Sequence, residues 1–199
     1  MNKRIHIQSK LKGPIFSIIT PFTKKGEIDY LSLKKYINYL YSKGATNFYI
    51  MVYNSRFTLL NEREILKINL FCIKQVKKLN NQNIIICAEP YHCSTEQTVK
   101  YVNYFKKNGA DIISLIFGEK YYSDDQLYGH FKKVHDKTNC FLLLHQQILE
   151  NGISSDPPFV YYSLEVLRKI SKLNKFLAMK EDAKNETYTR RICEEISNK

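Results

Sequence analysis

The stretch IIICAEPYHCSTEQTVKYVNYFKKNGADIISLIF, residues 84–117, contains the unit that repeats through the chain. Two short runs of mostly large apolar residues, 84–87 and 112–117, stand at its ends without strict polar alternation. Strands buried on both faces of a parallel sheet have this pattern. Residues with helical spacing lie between the two runs: Thr98, Val102 and Phe105. The stretch therefore predicts a strand, a helix and a second strand.

The same alternation extends in both directions. Four more apolar runs predict strands at 15–19, 48–52, 141–144 and 176–179, and amphipathic segments separate them. Helix starts are marked by a small polar residue followed three positions later by Glu or Gln, a capping-box pattern. These pairs are Asn61–Glu64, Ser94–Gln97 and Ser123–Gln126. Gly44 and Gly109 stand where helices are expected to end.

Six strand–helix units with short connections predict an α/β fold with parallel strands and right-handed crossovers. A doubly wound open sheet and a (β/α)8 barrel both fit this order. The barrel ordinarily has eight units in about 250 residues, whereas this chain has 199 residues. The spacing alone leaves the two architectures open.

Composition narrows the class of protein. Apolar residues make up 44% and charged residues 25%, which is typical of a globular chain. No apolar run is long enough to cross a membrane, and the amino terminus has no apolar signal segment, so we expect a cytoplasmic protein. The net charge is +12, but the lysines are spread along the chain, which favours solvated helix faces over a nucleic-acid surface.

The familiar site motifs are absent from the sequence. There is no GxGxxG after the first strand, no GxxxxGK[ST], no HExxH and no GxSxG. The five cysteines form no CxxC pair, so neither a zinc ribbon nor a disulfide framework is indicated. We expect no metal and no cofactor.

Several segments carry a resemblance to a known family. They are GPIFSIITPF at 13–22, GEID at 26–29, LNERE at 60–64, the run from Ser123 through QLYGHF at 126–131, and FLAMKE at 176–181. Together they resemble the dihydrodipicolinate synthase / N-acetylneuraminate lyase family over essentially the whole chain. The resemblance implies a TIM barrel, class I aldolase-type chemistry on 2-oxo acids without a cofactor, and a homo-oligomer, either a tetramer or a dimer.

Lys180 matches the family's Schiff-base lysine. A lysine at the carboxyl end of a buried strand faces a medium that disfavours its charged form, and a neutral amine attacks a ketone to form an imine. The other interpretation is a solvated lysine just past the strand, paired with Glu181 or Asp182. The matched context favours the catalytic interpretation.

Other motif positions depart from the family. Where the family has G-T-T/S-G-E, residues 52–56 are Val-Tyr-Asn-Ser-Arg, so Tyr53, Asn54, Ser55 and Arg56 are candidate substrate-binding residues. Arg56 is interpreted either as meeting an anionic group or as a surface or subunit-contact residue.

Two further loops differ from the family's motifs. Tyr121 or Tyr122 is a candidate for the tyrosine of the family's P-x-Y-Y segment. His145 aligns with the proton-relaying tyrosine and is either an acid–base group or a histidine hydrogen-bonded at a strand end. Glu150 aligns with the arginine that grips the substrate carboxylate.

The sequence thus predicts one barrel domain over 1–199 that is incomplete, with about six of the eight units. The predicted function is a carbon–carbon or carbon–oxygen lyase that binds a small carbonyl substrate, such as a 2-oxo acid, through Lys180. The alternative is a relative that has lost catalysis, or is truncated, and acts as a binding or structural protein. Neither nucleic acid nor membrane is an expected partner.

Overall fold

The computed structural model describes residues 3–51, 55, 57–89, 94–153 and 155–196. The chain divides into two compact units, one of residues 1–90 and 104–113 and the other of residues 91–103 and 114–199. This division does not test the predicted single domain, which stays a prediction.

The described residues form seven α-helices, eight strands and a short 3-10 helix at Phe57–Leu59. The helices are α1 (Lys3–Lys10), α2 (Tyr30–Ser42), α3 (Glu62–Leu79), α4 (Thr95–Lys107), α5 (Asp124–Lys137), α6 (Leu164–Ser171) and α7 (Glu186–Ile196). The strands are β1 (Phe16–Ser17), β2 (Asn47–Ile50), β3 (Ile84–Ala88), β4 (Ile112–Ile116), β5 (Phe141–Gln146), β6 (Leu149–Glu150), β7 (Phe159–Val160) and β8 (Phe176–Glu181).

All six predicted strands are present, as β1 to β5 and β8, with small shifts at their ends. Sequence patterns did not predict α1 or the antiparallel pair of β6 and β7. Leu149 pairs with Val160 and Glu150 with Phe159 in that pair. Each of these two strands has only two residues, and neither lies in an apolar run of the kind that predicted β1.

In the first unit, β1, β2 and β3 are neighbours in that order and run parallel. Every residue of β2 and β3 is buried. Helix α3 packs against both strands and buries an apolar stripe that includes Ile65, Ile68 and Cys72. The unbroken apolar runs of the sequence are therefore explained by strands that meet packed side chains on both faces.

In the second unit, β5 and β8 are neighbours and run parallel, and residues 114–116 of β4 precede β5 in the strand order. Leu142 pairs with Phe176, but the next pair is Leu143 with Ala178, so β8 contains one extra residue at this point. Such a bulge shifts all later pairs by one position. His145 consequently lies opposite Lys180, and Gln146 lies opposite Glu181.

The helix boundaries follow the predicted signals with one difference. Asn61 and Glu64 form a complete capping box, because each side chain accepts a hydrogen bond from the other's backbone N–H at 3.0 Å. Ser123 caps α5 by accepting from the backbone N–H of Gln126. The Gln126 side chain, however, accepts from the backbone N–H of Tyr122 at 3.3 Å.

The Asn61 cap gives a direct test of helix α3. We expect Asn61→Ala to lower the free energy of unfolding by about 1 kcal/mol, because the first turn of α3 loses its side-chain acceptor. Urea unfolding followed by circular dichroism measures this change. Asn103→Ala, at an exposed position inside α4, is the control and should stay within about 0.5 kcal/mol of wild type. Equal stability of Asn61→Ala and wild type would contradict the role of the cap.

Candidate functional site

Three polar side chains meet at the carboxyl ends of β5 and β8. Lys180 Nζ lies 2.9 Å from His145 Nε2, and His145 Nε2 lies 2.8 Å from Asp182 Oδ2. Lys180 Nζ also forms an ion pair with the same oxygen of Asp182. One carboxylate oxygen therefore contacts both the amine and the imidazole.

The backbone fixes the position of Asp182. Its N–H donates to the carbonyl oxygen of Gln146 at 3.1 Å, which continues the ladder between β5 and β8 by one residue. Asp182 is two residues beyond Lys180, and side chains two apart along an extended chain point to the same side. The spacing thus places the carboxylate beside the amine.

Lys180 lies on the face of β8 that points away from helix α7. Its neighbour Glu181 lies on the opposite face, where its carboxylate accepts hydrogen bonds from the Thr189 hydroxyl of α7 and from the backbone N–H of Ala183. Because successive strand residues alternate between faces, Lys180 and His145 share the face that α7 does not cover. Lys180 lies within β8 and not past its end, and it is paired with Asp182, as the other interpretation expected.

Burial differs sharply between the three groups. The His145 side chain is only 5% exposed, whereas those of Lys180 and Asp182 are 33% and 39% exposed. The amine is therefore less sheltered than the sequence predicted. Its partial exposure follows from the position of β8 at the end of the strand order.

Burial is the main cause of the lowered pKa of His145, because it penalises the imidazolium, and the nearby Lys180 acts in the same direction. The hydrogen bond to Asp182 opposes these effects without cancelling them. For Asp182, burial acts to raise the pKa, but hydrogen bonds from Lys180 and His145 outweigh it, so the pKa is lowered. A neutral histidine thus lies beside a charged carboxylate at neutral pH.

The predicted substrate-binding residues have different outcomes. Tyr53, Asn54 and Arg56 lie outside the described residues. Ser55 is fully buried and belongs to the first unit. Tyr121 is tied to the start of α5, since its hydroxyl donates to Asp124 Oδ1 at 3.1 Å and its backbone N–H donates to Glu150 O at 2.8 Å.

The glutamate at the family's arginine position is on the surface. Glu150 lies in β6 with its side chain 66% exposed, and its carboxylate forms a long ion pair with Lys120 at 3.7 Å.

Asp182 was not among the predicted site residues. The sequence analysis named it only as a partner of Lys180 in the interpretation without catalysis. The signal for it was the Lys-x-Asp spacing at the end of a strand.

A separate cleft of about 560 Å³ lies at the start of α4 and along α5. Thr95 and His130 line it, and Thr95 Oγ1 lies 2.9 Å from His130 Nδ1. The His130 ring meets Phe117 and Phe131 edge-on at 5.3 and 5.1 Å between centroids. These contacts make His130 a packed core residue of the second unit.

A profile of the Dihydrodipicolinate synthetase family matches residues 10–199. The chain belongs to this family. Its similarity to curated members is modest: it is 25% identical over 175 residues to a 4-hydroxy-tetrahydrodipicolinate synthase of Anaplasma marginale (strain Florida), covering 86% of this chain and 54% of that protein. A synthase with the same name from Shigella dysenteriae serotype 1 is 24% identical over 189 residues, covering 94% and 60%.

Solved structures of family members have the same fold. Dihydrodipicolinate synthase from Bacillus clausii matches with a TM-score of 0.79 at 19% identity, covering 96% of this chain and 60% of that one. YagE, a prophage protein from E. coli K12 in complex with pyruvate, matches with a TM-score of 0.80 at 16% identity, covering 94% and 60%. The fold is therefore α/β of the (β/α)8 barrel type, with six strand–helix units in the part of the chain that the structure describes.

The chain spans between about half and three fifths of the length of these relatives. Within the described part, no helix has the length and apolar character needed to cross a membrane. Across those same residues, no cluster of three or more His, Cys, Asp or Glu side chains has the arrangement of a metal site.

His130 makes stability depend on pH. Burial lowers its pKa from 6.5 to about 4, so between these values the unfolded chain binds a proton that the folded chain does not. Acidification from pH 7 to 4 should therefore lower the free energy of unfolding, with a contribution from this group of up to about 3 kcal/mol.

Urea unfolding at several pH values measures this effect. His130→Asn should lose less stability on acidification than wild type does, whatever its stability at pH 7. His6→Gln, in α1, is the matched control and should keep the wild-type slope. An unchanged slope in His130→Asn would contradict the assignment.

Proposed function

We propose that this chain is an imine-forming lyase or aldolase that acts on a 2-oxo acid or a related carbonyl compound through Lys180. The observation that carries the proposal is the contact of Lys180 Nζ with both His145 Nε2 and Asp182 Oδ2. Family membership supports the lyase class, because the curated relatives are named as synthases of this family.

In the proposed reaction, Lys180 is the nucleophile. Its nitrogen lone pair attacks the substrate carbonyl carbon, and loss of water gives a protonated imine. The imine then withdraws electrons from the neighbouring carbon, which allows a carbon–carbon bond there to form or break. His145, neutral at pH 7 and in contact with Lys180, is the proposed acid–base group.

Substrate recognition in this proposal differs from that of the family. The family's carboxylate-gripping arginine corresponds to Glu150, which is exposed and directed to Lys120. The anionic end of a substrate therefore needs another donor. Tyr53, Asn54, Ser55, Arg56 and Tyr121 remain the proposed binding residues, with Arg56 as the proposed cation.

The proposal includes the oligomeric state, the cellular location and the ligand of the protein. By its resemblance to the family, we propose a homo-oligomer in the cytoplasm whose ligand is a small carbonyl compound. YagE was crystallised in complex with pyruvate, which makes pyruvate the first compound to test here.

Borohydride trapping tests the function. We expect incubation with a panel of 2-oxo acids that includes pyruvate, followed by borohydride, to give one covalent adduct on Lys180, since reduction converts the imine into a stable amine. Intact-protein and peptide mass spectrometry measure the adduct.

Lys180→Ala should give none. Lys184→Ala, at an exposed position four residues away, is the matched control and should label like wild type. An adduct that persists in Lys180→Ala would place the chemistry on another residue. No adduct with any 2-oxo acid in folded wild-type protein would favour a relative that binds without catalysis.

A further inference from the structure

The three atoms Lys180 Nζ, His145 Nε2 and Asp182 Oδ2 lie close enough to form hydrogen bonds in every pair. A carboxylate oxygen and an unprotonated imidazole nitrogen are both acceptors, so they attract each other only when a proton lies between them. The Lys180 ammonium supplies this proton when it donates to both His145 Nε2 and Asp182 Oδ2. Once a proton has passed from Nζ to Nε2, the imidazolium N–H faces Asp182 and Lys180 keeps a lone pair for a carbonyl carbon.

We propose that Asp182 is a positioning residue of this site: its carboxylate orients the imidazole of His145 against Lys180, so that His145 Nε2 carries the protons of imine formation. This inference rests on the proposed function. It assigns to a His–Asp pair the proton transfers that the family's tyrosine provides. Asp182 acts through His145 and is not itself required to touch the substrate.

Imine formation moves protons between Lys180, His145 and the substrate oxygen. A proton leaves the Lys180 ammonium for His145 Nε2, which gives a neutral amine and an imidazolium that faces Asp182. The amine forms a bond to the carbonyl carbon, and the π electrons move to oxygen. A proton then passes from nitrogen to this oxygen, the imidazolium returns its proton to the resulting hydroxyl, and water leaves. The products are a protonated imine, water and neutral His145.

The surroundings support Asp182 as the partner of His145. Among the described residues, the ionisable groups that act on the His145 ring include Lys180 and Asp182, which belong to β8 and to the residue after it. The neighbour of β5 on its other side is β4, whose sequence Ile-Ile-Ser-Leu-Ile carries no charge. The backbone N–H of Asp182 donates to the carbonyl oxygen of Gln146, so the sheet fixes the position from which the carboxylate extends.

Asp182→Asn keeps the size of the side chain but removes its charge. With pyruvate and borohydride, we expect Asp182→Asn to form the Lys180 adduct about 10- to 100-fold more slowly than wild type. We also expect the acid limb of the pH–rate profile to move to lower pH, because the Asp182 hydrogen bond raises the pKa of His145 and its loss lowers that pKa further. A purely structural role would reduce the rate without moving the limb.

Asp136→Asn is a matched control within the same chain. Asp136 Oδ2 lies 2.5 Å from Lys132 Nζ and Asp136 Oδ1 lies 2.8 Å from His135 Nδ1, so the same three residue types meet near the end of helix α5, where Lys132 and Asp136 are exposed. We expect its adduct rate and pH profile to equal those of wild type. Thermal unfolding of each variant verifies that it is folded.

NMR titration of the His145 ring gives a readout that needs no substrate. A lower midpoint in Asp182→Asn than in wild type supports the inference. An unchanged midpoint, or a wild-type trapping rate and pH profile in Asp182→Asn, overturns the inference and leaves the proposed function in place. Failure of folded wild-type protein to trap any 2-oxo acid overturns both.

Discussion

The extra residue in β8 determines which side chain of β5 lies opposite Lys180. Leu142 pairs with Phe176, and the bulge then makes Leu143 pair with Ala178. Without this shift, His145 would lie opposite Met179, and Lys180 would lie beside Gln146 on the other face. A change of one position in register moves a side chain across the sheet. The contact of the amine with the imidazole therefore depends on one local irregularity in the backbone.

The same register determines how the amine is surrounded. Lys180 is about one third exposed, and β8 stands at the end of the strand order. The surroundings of the amine are therefore set by two polar neighbours more than by burial. One of them, His145, is deeply buried and neutral, and the other is the carboxylate of Asp182, whose backbone N–H donates to Gln146 of β5. In this respect the site differs from the sheltered lysine expected at a strand end.

Two motif positions that differ from the family pattern lie in the segments that connect the main strands. Tyr121 and Glu150, both at motif positions, are joined by a backbone hydrogen bond, and their side chains are engaged with Asp124 and Lys120. The pair β6–β7 follows directly after β5. Strands carry the packing of the sheet and tolerate little change, whereas loops vary with the ligand. The family's fold is thus retained with a different set of polar groups.

The sequence by itself determined the six main strands, the helices between them and the candidate lysine. Apolar runs and helical periods are local, and a buried strand needs its apolar residues whatever its neighbours are. The family segments added the barrel type, which spacing alone had left open. Only the tertiary structure decided that Asp182 joins Lys180 and His145 and that Tyr121 turns to Asp124. Those contacts depend on strand register and on the path of the loops. Both arise from pairing between distant parts of the chain, so no periodic pattern in the sequence predicts them.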